Sequence, residues 1–347
     1  MQNFSKSRAR LSFALVLIAA GVMLPAHRLD AQQPQTALEN EVRADLGFLA
    51  SDEMHGRGSA TRDEHIAALY AAAQFKALGL EPAGDPGDYI QRVPVTLSDR
   101  ALKRVEKFEA TTRTETWNAI AILRGTDPKL KDEVILLTAH IDHLGMLKPA
   151  TGDIIYNGAD DDASGTAAVL AMAHSLATGP APRRTIVFAL FGSEELGGYG
   201  NGGFLKRPPV PLQSIVANLE FEMIGRPDAA VPPGTLWLTG FERSTLGPEL
   251  AKHGARIVQD PHPDQHFFER SDNIALARQG IIAHTVSSFG LHKDYHQVSD
   301  EISTIDFAHM VRAIHSMEAP VRWLANSDFK PDWNPNGRPQ PPAPRNP

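Results

Sequence analysis

The stretch VILLTAHID, residues 134–142, decides the fold of this chain. It is almost wholly apolar until it ends in a histidine and an aspartate. A short apolar run without alternation is typical of a strand that is buried on both faces of a sheet. The same design recurs in RTIVFALFGSEE (184–195), SIVANLEFEMIG (214–225), TLWLTG (235–240) and GIIAHTVSS (280–288).

Helical patterns separate these strands. SGTAAVLAMAHSL, residues 164–176, predicts a helix of small residues with Ser164 as its N-cap. Further helical patterns cover residues 37–49, 63–80 and 306–325, the last with an interruption near Pro320. The alternation indicates an α/β fold with a mixed, mostly parallel central β-sheet covered by helices on both faces. Such sheets bind ligands beyond the carboxyl ends of their strands.

The composition is that of an ordinary globular protein. The 347 residues are 42% hydrophobic and 22% charged. A net charge of −7, without a basic run in the body of the chain, argues against a nucleic-acid partner. The chain contains no cysteine, which excludes disulfides, cysteine nucleophiles and thiolate metal ligands.

The two ends of the chain differ in composition from its body. Three basic residues precede an apolar run at 11–25, and Ala31 offers a small residue for cleavage. This pattern predicts a secretory signal peptide over residues 1–31, hence a periplasmic or secreted protein without a stable membrane span after cleavage. Residues 32–325 are expected to form one domain, and the Pro-rich residues 326–347 a disordered tail. Oligomeric state stays open.

Charged residues follow each buried strand, where ligands are expected. The groups in question are His140 and Asp142, Glu194 and Glu195, Glu222, His296, and Asp161 in the stretch NGADDDASG. One such group could simply solvate a strand end, but apolar residues and not lysines surround these. Their number therefore favours a common purpose.

A pair of bound metal ions would explain this cluster of charged residues. Imidazole nitrogen and carboxylate oxygen bind zinc, and two neighbouring metals need a bridging carboxylate. Three carboxylates against two divalent cations leave one positive charge, which a bound hydroxide would neutralise. Glu194, beside the proposed ligand Glu195, is the candidate general base that receives the proton of the water. The proposed ligands are His140, Asp161, Glu195, Glu222 and His296.

The motifs HIDH, ADDDASG, GSEELG, EMIGR and DYHQVSD occur in this order. Together they resemble zinc-dependent metallopeptidase family twenty-eight, which includes bacterial secreted leucine aminopeptidases and, more distantly, glutamate carboxypeptidase II and glutaminyl cyclase. The resemblance extends to residues 48–85 and to ERSDNIALARQGI, and it covers roughly residues 40–325. It implies a zinc aminopeptidase fold with two zinc ions.

Carried over by position, the resemblance assigns a role to each residue. His140 and Glu222 would bind the first zinc, Glu195 and His296 the second, and Asp161 would bridge them. Asp142 resembles an aspartate that orients the metal-bound histidine. Tyr295 resembles a tyrosine that stabilises the oxyanion, and Asp300 a structural aspartate. The resemblance also implies a cis peptide bond between Asp161 and Asp162.

This sequence departs from the family pattern at two positions. The position of Glu222 is more often Asp in the family, and Glu220 on the same strand face is a less suitable substitute. Asn273 stands where histidine is common. About 20 residues separate VPV from WNAIAI, too few for the inserted protease-associated domain of some relatives.

The leading hypothesis is a secreted di-zinc aminopeptidase that acts on peptides with a free N-terminus. Carboxypeptidase, dipeptidase, N-acyl hydrolase and glutaminyl cyclase chemistry remain as alternatives of the same fold, and a metal-free binding protein as the alternative outside enzymes. Further residues that could line the substrate cleft are His143, His266 and His292, and the phenylalanines Phe267, Phe268 and Phe289. Arg57 is expected in a buried structural salt bridge.

Overall fold

Parallel buried strands form the centre of the molecule, as a computed structural model shows. The structure describes residues 36–109, 113–149 and 151–340. The strands are β1 (Glu81–Pro82), β2 (Ile90–Pro94), β3 (Glu115–Leu123), β4 (Val134–His140), β5 (Gly145–Met146), β6 (Ile155–Tyr156), β7 (Thr185–Phe191), β8 (Ile215–Phe221), β9 (Leu236–Leu238), β10 (Ile257–Gln259) and β11 (Ala283–Ser287). The helices are α1 (Ala37–Leu49), α2 (Arg62–Ala77), α3 (Asp99–Val105), α4 (Gly165–Thr178), α5 (Tyr199–Lys206), α6 (Leu246–Lys252), α7 (Asn273–Arg278) and α8 (Phe307–Asn326).

Nine strands make one mixed sheet in the order β1-β3-β7-β4-β8-β11-β9-β10, with β2 also paired to β3. The four central strands β7, β4, β8 and β11 are parallel, and β3 and β9 flank them in antiparallel pairing. Strands β5 and β6 form a separate hairpin. The carboxyl ends of the central strands therefore lie at one edge of the sheet.

Helices cover both faces of this sheet, which confirms the predicted fold class. On β4, Ile135 and Leu137 face a core shared with α1, α2, α4 and α8. The alternate residues Val134 and Leu136 face a second core with Phe204 of α5 and Leu276 of α7. Residues from 36 onward belong to one compact unit.

The final helix departs from the prediction at Pro320. Helix α8 runs without interruption through this residue. Proline removes one backbone hydrogen bond, but Met317, Val321 and Leu324 around it are fully buried in the core. Packing of these side chains holds the helix together, so the predicted break is wrong.

The Pro-rich tail also differs from the expectation of disorder as far as residue 340. Trp333 donates from its indole nitrogen to the carbonyl of Gly280 at 3.2 Å and lies 5.7 Å from the ring of His284. Ser244 pairs with Trp333 in an isolated antiparallel bridge. One aromatic anchor thus fixes a segment whose composition favours disorder. Residues 341–347, like the predicted signal peptide, lie outside the described residues.

No helix among the described residues has both the length and the apolar character that a membrane crossing requires. The segment between β2 and β3 contains the short helix α3.

Candidate metal centre

The ends of three parallel strands and two loops bring the predicted ligands together. His140 ends β4, Glu195 follows β7 by four residues, and Glu222 directly follows β8. Asp161 comes from the loop before α4, and His296 from the loop after β11. The convergence follows from parallel pairing, because the carboxyl ends of such strands meet at one edge.

Asp161 lies at the centre of this cluster. His140 Nε2 is 3.2 Å from Asp161 Oδ1, and His296 Nε2 is 3.1 Å from Asp161 Oδ2. His296 Nε2 is also 2.9 Å from Glu195 Oε1. A carboxylate with one oxygen toward each histidine is placed as a bridge between two cations would be.

The cluster forms two adjoining groups with metal-binding geometry. One contains His140, Asp161 and Glu222, and the other contains His143, Asp161 and Glu195, with the ligand atoms of each group within 4.8 Å of one another. Both groups share Asp161. With His296, which lies 3.1 Å from Asp161, the structure thus gathers the other four predicted ligands around this carboxylate.

Two buried carboxylate oxygens in this cluster have no partner in hydrogen-bond geometry among the described residues. They are Glu195 Oε1 and Glu222 Oε2. Ligand atoms that lie close together without hydrogen-bond geometry converge on a common point, as atoms do around a cation. Imidazole nitrogens and carboxylate oxygens are the donors that zinc prefers, so these residues fit the predicted metals.

The two aspartates beside Asp161 accept hydrogen bonds that fix the surrounding loops. Asp160 accepts from the backbone of Gly225 at 2.7 Å and from His292 at 2.9 Å. Asp162 accepts from the backbone of Gly165 at 2.9 Å and of Met223 at 3.1 Å. These partners explain how three consecutive carboxylates are tolerated.

Two expectations for this loop are met and one is wrong. Asp300 accepts from the backbone amides of Asp160 and Asp161 at 3.1 and 3.0 Å, in the structural role expected for it. The peptide bond between Asp161 and Asp162 is cis. Ser164 precedes the first residue of α4, but its hydroxyl does not cap the helix and donates instead to the carbonyl of Asp160 at 2.7 Å.

Asp142 joins the first ligand to the turn that carries the candidate base. The His140 ring nitrogen Nδ1 lies 3.2 Å from the carbonyl of Asp142 and 3.6 Å from its carboxylate. The carboxylate accepts from the backbone amides of Glu194 at 2.9 Å and Glu195 at 3.2 Å. Asp142 therefore orients His140 mainly through its backbone and the Glu194 turn through its side chain.

The charges of the cluster compensate one another. Burial raises the pKa of Asp161, but contacts with His140 and His296 outweigh it and bring that pKa well below its usual range. Burial lowers the pKa of His296, yet Asp161 and Glu195 raise it to about 10. Asp161 and Glu195 thus stay ionised, with protonated imidazoles supplying the positive charge that metals would otherwise bring.

The pKa of Glu194 is shifted in the opposite direction from that of Asp161. Burial, reinforced by the neighbouring carboxylates of Glu195 and Asp272, raises its pKa well above the usual range. Burial likewise raises the pKa of Glu222. A carboxylate with a raised pKa is a better proton acceptor, which is the property that a general base needs.

Comparison with known proteins assigns the chain to a family. The family model described as Peptidase family M28 matches residues 118–319, more than half of the chain. The chain belongs to peptidase family M28. The resemblance in the five motifs is thereby confirmed.

Members and neighbours of this family share both sequence and fold with the chain. Leucine aminopeptidase 1 of Ajellomyces capsulatus is 26% identical over 240 residues, which are 65% of this chain and 60% of the relative. A vacuolar membrane protease of Lachancea thermotolerans is 23% identical over 62% of this chain and 21% of its own length. The chain thus spans about 60% of the length of the curated aminopeptidases that it matches.

Two solved structures show the fold. The zinc aminopeptidase BSAP from Bacillus subtilis superposes with a TM-score of 0.64 at 14% identity, over 84% of this chain and 96% of that chain. LapB from Legionella pneumophila gives 0.59 at 19% identity, over 83% and 72%. The mostly parallel sheet described above is therefore the M28 fold.

Glu222, and not Glu220, lies in the group of side chains that could hold a metal ion. Glu220 Oε2 accepts from the backbone amide of Asn273 at 2.7 Å and from the hydroxyl of Thr285 at 3.2 Å. Asn273, at the position that is often histidine in the family, thus helps to hold a buried carboxylate. The sequence had ranked Glu220 as the less suitable ligand, and its contacts agree.

A largely apolar pocket adjoins the Glu222 side of this cluster. Its walls include Trp237, Phe267, Phe289 and Tyr295. Tyr295 stacks on the His296 ring with centroids 3.9 Å apart. Burial and nearby carboxylates raise the pKa of Tyr295, so its hydroxyl keeps its proton and can donate it in a hydrogen bond.

Not every residue expected at the cleft lies there. Phe268 packs 5.7 Å from the ring of His284, away from this pocket, and His266 is exposed. His292 binds Asp160, so it supports the aspartate loop.

Arg57 is buried, as expected, but no salt bridge satisfies it among the described residues. It donates instead to backbone carbonyls on both sides of the metal centre. The acceptors are Ile141 at 2.9 Å, Asn157 at 2.7 Å, Gly158 at 2.8 Å and Leu49. The reason is geometric, since the planar guanidinium carries several donors and reaches carbonyls of two loops at once.

Two residues at the centre escaped the sequence reasoning. His143 is fully buried beside Glu195 and Asp161, where it had been considered only as a cleft residue. Its spacing in HIDH, three residues after a ligand, was the available signal. Arg104 of α3 donates to Glu195 Oε2 at 2.8 Å. Nothing in its local sequence indicated that contact, because it joins residues 91 positions apart.

Proposed function

We propose that this protein is a secreted di-zinc aminopeptidase that removes N-terminal residues from peptides. The observation that carries the proposal is the convergence of His140, Asp161, Glu195, Glu222 and His296 at one sheet edge, with Glu194 beside them. Membership of peptidase family M28 supports hydrolysis of a peptide bond as the reaction. The predicted leader over residues 1–31 supports export to the periplasm or the medium.

His140 and Glu222 would hold one zinc ion, Glu195 and His296 the other, and Asp161 both. When bound, the ions would supply an activated water and polarise the scissile carbonyl. The acidic residues around the metals would retain the free amine of the substrate.

Glu194 is assigned to proton transfer. Its raised pKa suits it to take the proton of the attacking water and to deliver it to the nitrogen of the leaving amine. Asp142 fixes the position of this residue by accepting from its backbone amide. The neutral hydroxyl of Tyr295 would donate a hydrogen bond to the carbonyl oxygen as charge develops there.

The apolar pocket beside Glu222 would receive the side chain of the N-terminal residue. Aromatic walls such as Trp237 and Phe289 favour apolar side chains. Unblocked leucyl and phenylalanyl peptides are therefore the first substrates to test, against N-acetylated peptides and peptides labelled at the carboxyl end. Cleavage of the blocked peptides at the rate of the free ones would favour an N-acyl hydrolase or a carboxypeptidase.

Glu194→Gln tests the mechanism. The variant should lose roughly 10²- to 10⁴-fold in kcat while its zinc content stays that of the wild type, because the amide cannot accept the proton. Glu53→Gln, at an exposed glutamate of the same protein, is the matched control and should leave kcat unchanged. Near-normal turnover by Glu194→Gln would refute the assigned base.

A further inference from the structure

Among the described residues, Arg104 is the one lysine or arginine that forms a salt bridge with a predicted zinc ligand. From helix α3, its Nη2 atom donates to Glu195 Oε2 at 2.8 Å. The Arg104 side chain is 46% exposed, whereas that of Glu195 is only 4% exposed. A guanidinium carries five N–H donors, and Glu195 engages one of its nitrogens. The exposed part of the guanidinium thus stands between the metal centre and solvent with donors left for a ligand.

Helix α3 is held beside the metal centre at both of its ends. Before the helix, the hydroxyl of Tyr199 donates to the carbonyl of Thr96 at 2.7 Å. After the helix, the buried ring of Phe108 packs with Leu144 and Val298, which belong to two loops of the metal centre. Arg104 lies between these two anchored points. Its position is therefore fixed by the backbone of α3 and not by the contact with Glu195 alone.

We propose that Arg104 binds the terminal carboxylate of a dipeptide substrate, and that this protein prefers free dipeptides among unblocked peptides. The inference rests on the proposed function, because it names the substrate class of the same site. It adds a recognition group for the residue after the cleaved bond. This group lies on the Glu195 side, whereas the apolar pocket adjoins Glu222.

The direction in which a bound peptide would run places its second residue near Arg104. The apolar pocket, assigned to the first side chain, has neither Glu195 nor Arg104 among its walls. Glu194, the candidate base, would deliver its proton to the nitrogen of the second residue. Glu194 and Glu195 share one turn, because the Asp142 carboxylate accepts from both of their backbone amides. The leaving residue would therefore lie next to the carboxylate that Arg104 contacts.

The reach of Arg104 fits one residue beyond the cleaved bond. Its guanidinium contacts Glu195 Oε2, while Oε1 of the same carboxylate lies 2.9 Å from His296 Nε2. Arg104 is thus only the width of one carboxylate away from the predicted metal ligands. Each residue of an extended chain adds about 3.3–3.6 Å, so the carboxylate of a dipeptide would lie near Arg104 and that of a longer peptide would lie beyond it.

The charge of the metal centre explains why a substrate carboxylate would need such a cation. The centre gathers the carboxylates of Asp161, Glu194, Glu195 and Glu222, which attract the amine of a peptide but repel its carboxylate. A dipeptide brings both charges close to this centre. A guanidinium can donate two parallel hydrogen bonds to a carboxylate, which offsets the repulsion on the Glu195 side. An amidated dipeptide cannot accept this pair of bonds.

Kinetics on leucyl-leucine and leucyl-leucinamide test the proposal. The wild type should cleave leucyl-leucine with a kcat/KM at least ~10-fold above that of the amide, because only the free carboxylate accepts both hydrogen bonds. Arg104→Gln should lose this preference through a higher KM for leucyl-leucine, with an unchanged KM for the amide. Arg104→Lys should keep part of it, since lysine retains the charge without the fork. Lys103→Gln, at an exposed neighbour on α3, is the matched control and should behave as the wild type.

Binding to a protein that does not turn over gives a readout separate from catalysis. Zinc-loaded Glu194→Gln, titrated by calorimetry, should bind leucyl-leucine at least ~10-fold more tightly than leucyl-leucinamide. The double variant with Arg104→Gln should bind the two compounds with similar affinity. Thermal unfolding of each variant checks that the replacement in α3 leaves the protein folded.

The possible outcomes separate this proposal from the proposed function. Equal kcat/KM of the wild type for leucyl-leucine and its amide would overturn the dipeptide preference and leave the aminopeptidase function standing. An equal loss on both substrates in Arg104→Gln would also overturn it, because a merely structural salt bridge with Glu195 affects all substrates alike. Failure of the zinc-loaded wild type to cleave any unblocked peptide would overturn the proposed function and this proposal with it.

Discussion

A single buried carboxylate, that of Glu64, supports the turn that carries the candidate base. Its side chain accepts from the hydroxyl of Ser193 at 2.9 Å and of Thr116 at 2.8 Å. Ser193 directly precedes Glu194 and has a φ of +56°, a conformation that non-glycine residues rarely adopt. The hydrogen bond from Ser193 to Glu64 therefore helps to hold a strained residue next to the candidate base.

Glu64 should make stability fall with rising pH. Burial, together with the charge of Asp142, raises its pKa from 4.5 to about 8. Between these values the unfolded chain has lost a proton that the folded protein retains, so the contribution of Glu64 to stability is highest below about pH 4.5 and declines until about pH 8. Glu64→Gln should not show this decline, because an amide does not titrate.

Urea unfolding of metal-free protein at pH 5.5 and pH 8.5 measures the effect. The free energy of unfolding of Glu64→Gln should improve relative to the wild type by at least ~1 kcal/mol between the two pH values. The exposed-site variant Glu53→Gln should follow the wild type. A difference between Glu64→Gln and the wild type that does not change with pH would contradict the assignment.

Among the structural elements, the two loops of the metal centre depend on Arg57. It binds the carbonyl of Ile141 after β4 and those of Asn157 and Gly158 before the aspartate segment. One side chain thus fixes the separation of the loops that supply His140 and Asp161.

Arg57→Met should destabilise the protein by about 3 kcal/mol or more, because it leaves several buried carbonyls without donors. Arg57→Lys should recover part of this loss, since lysine can donate but cannot span both loops. Arg62→Met, at a side chain that is 79% exposed, is the control and should change stability by less than ~0.5 kcal/mol. Chemical unfolding measures the stability of the three variants. Equal stability of Arg57→Met and Arg62→Met would refute this role of Arg57.

At the scale of the whole molecule, metal binding should contribute to stability. The chain has no disulfides, and its centre gathers buried carboxylates whose repulsion two cations would relieve. Zinc at about 100 times its Kd stabilises the folded state by ~2.7 kcal/mol for each site. Removal of zinc by a chelator should therefore lower Tm by roughly 5 °C or more.

Calorimetric scans with chelator, and again after zinc is restored, test this expectation. Asp161→Asn serves as the comparison, because loss of the bridging carboxylate should abolish most of the zinc-dependent increase in Tm. Identical Tm values for wild-type protein with and without chelator would contradict a metal-stabilised centre.

Sequence patterns predicted the elements well where the pattern and the packing agree. Apolar runs without alternation at 134–142 and 184–195 correspond to central parallel strands, because burial on both faces requires such runs. The charged residues after them meet because parallel strands end at one edge. Pro320 and the tail were misjudged, since Met317 and Trp333 pack in ways that local composition does not encode.

The sequence by itself determined the fold class, the family and the residues from which the candidate centre is built, since strand periodicity and motif order are properties of the chain in one dimension. Only the tertiary structure decided which atoms face one another. It placed His143 beside Glu195, brought Arg104 to the same carboxylate and directed Arg57 to carbonyls in place of a carboxylate. These contacts join segments remote in sequence, and their geometry depends on how the sheet edge and its loops pack.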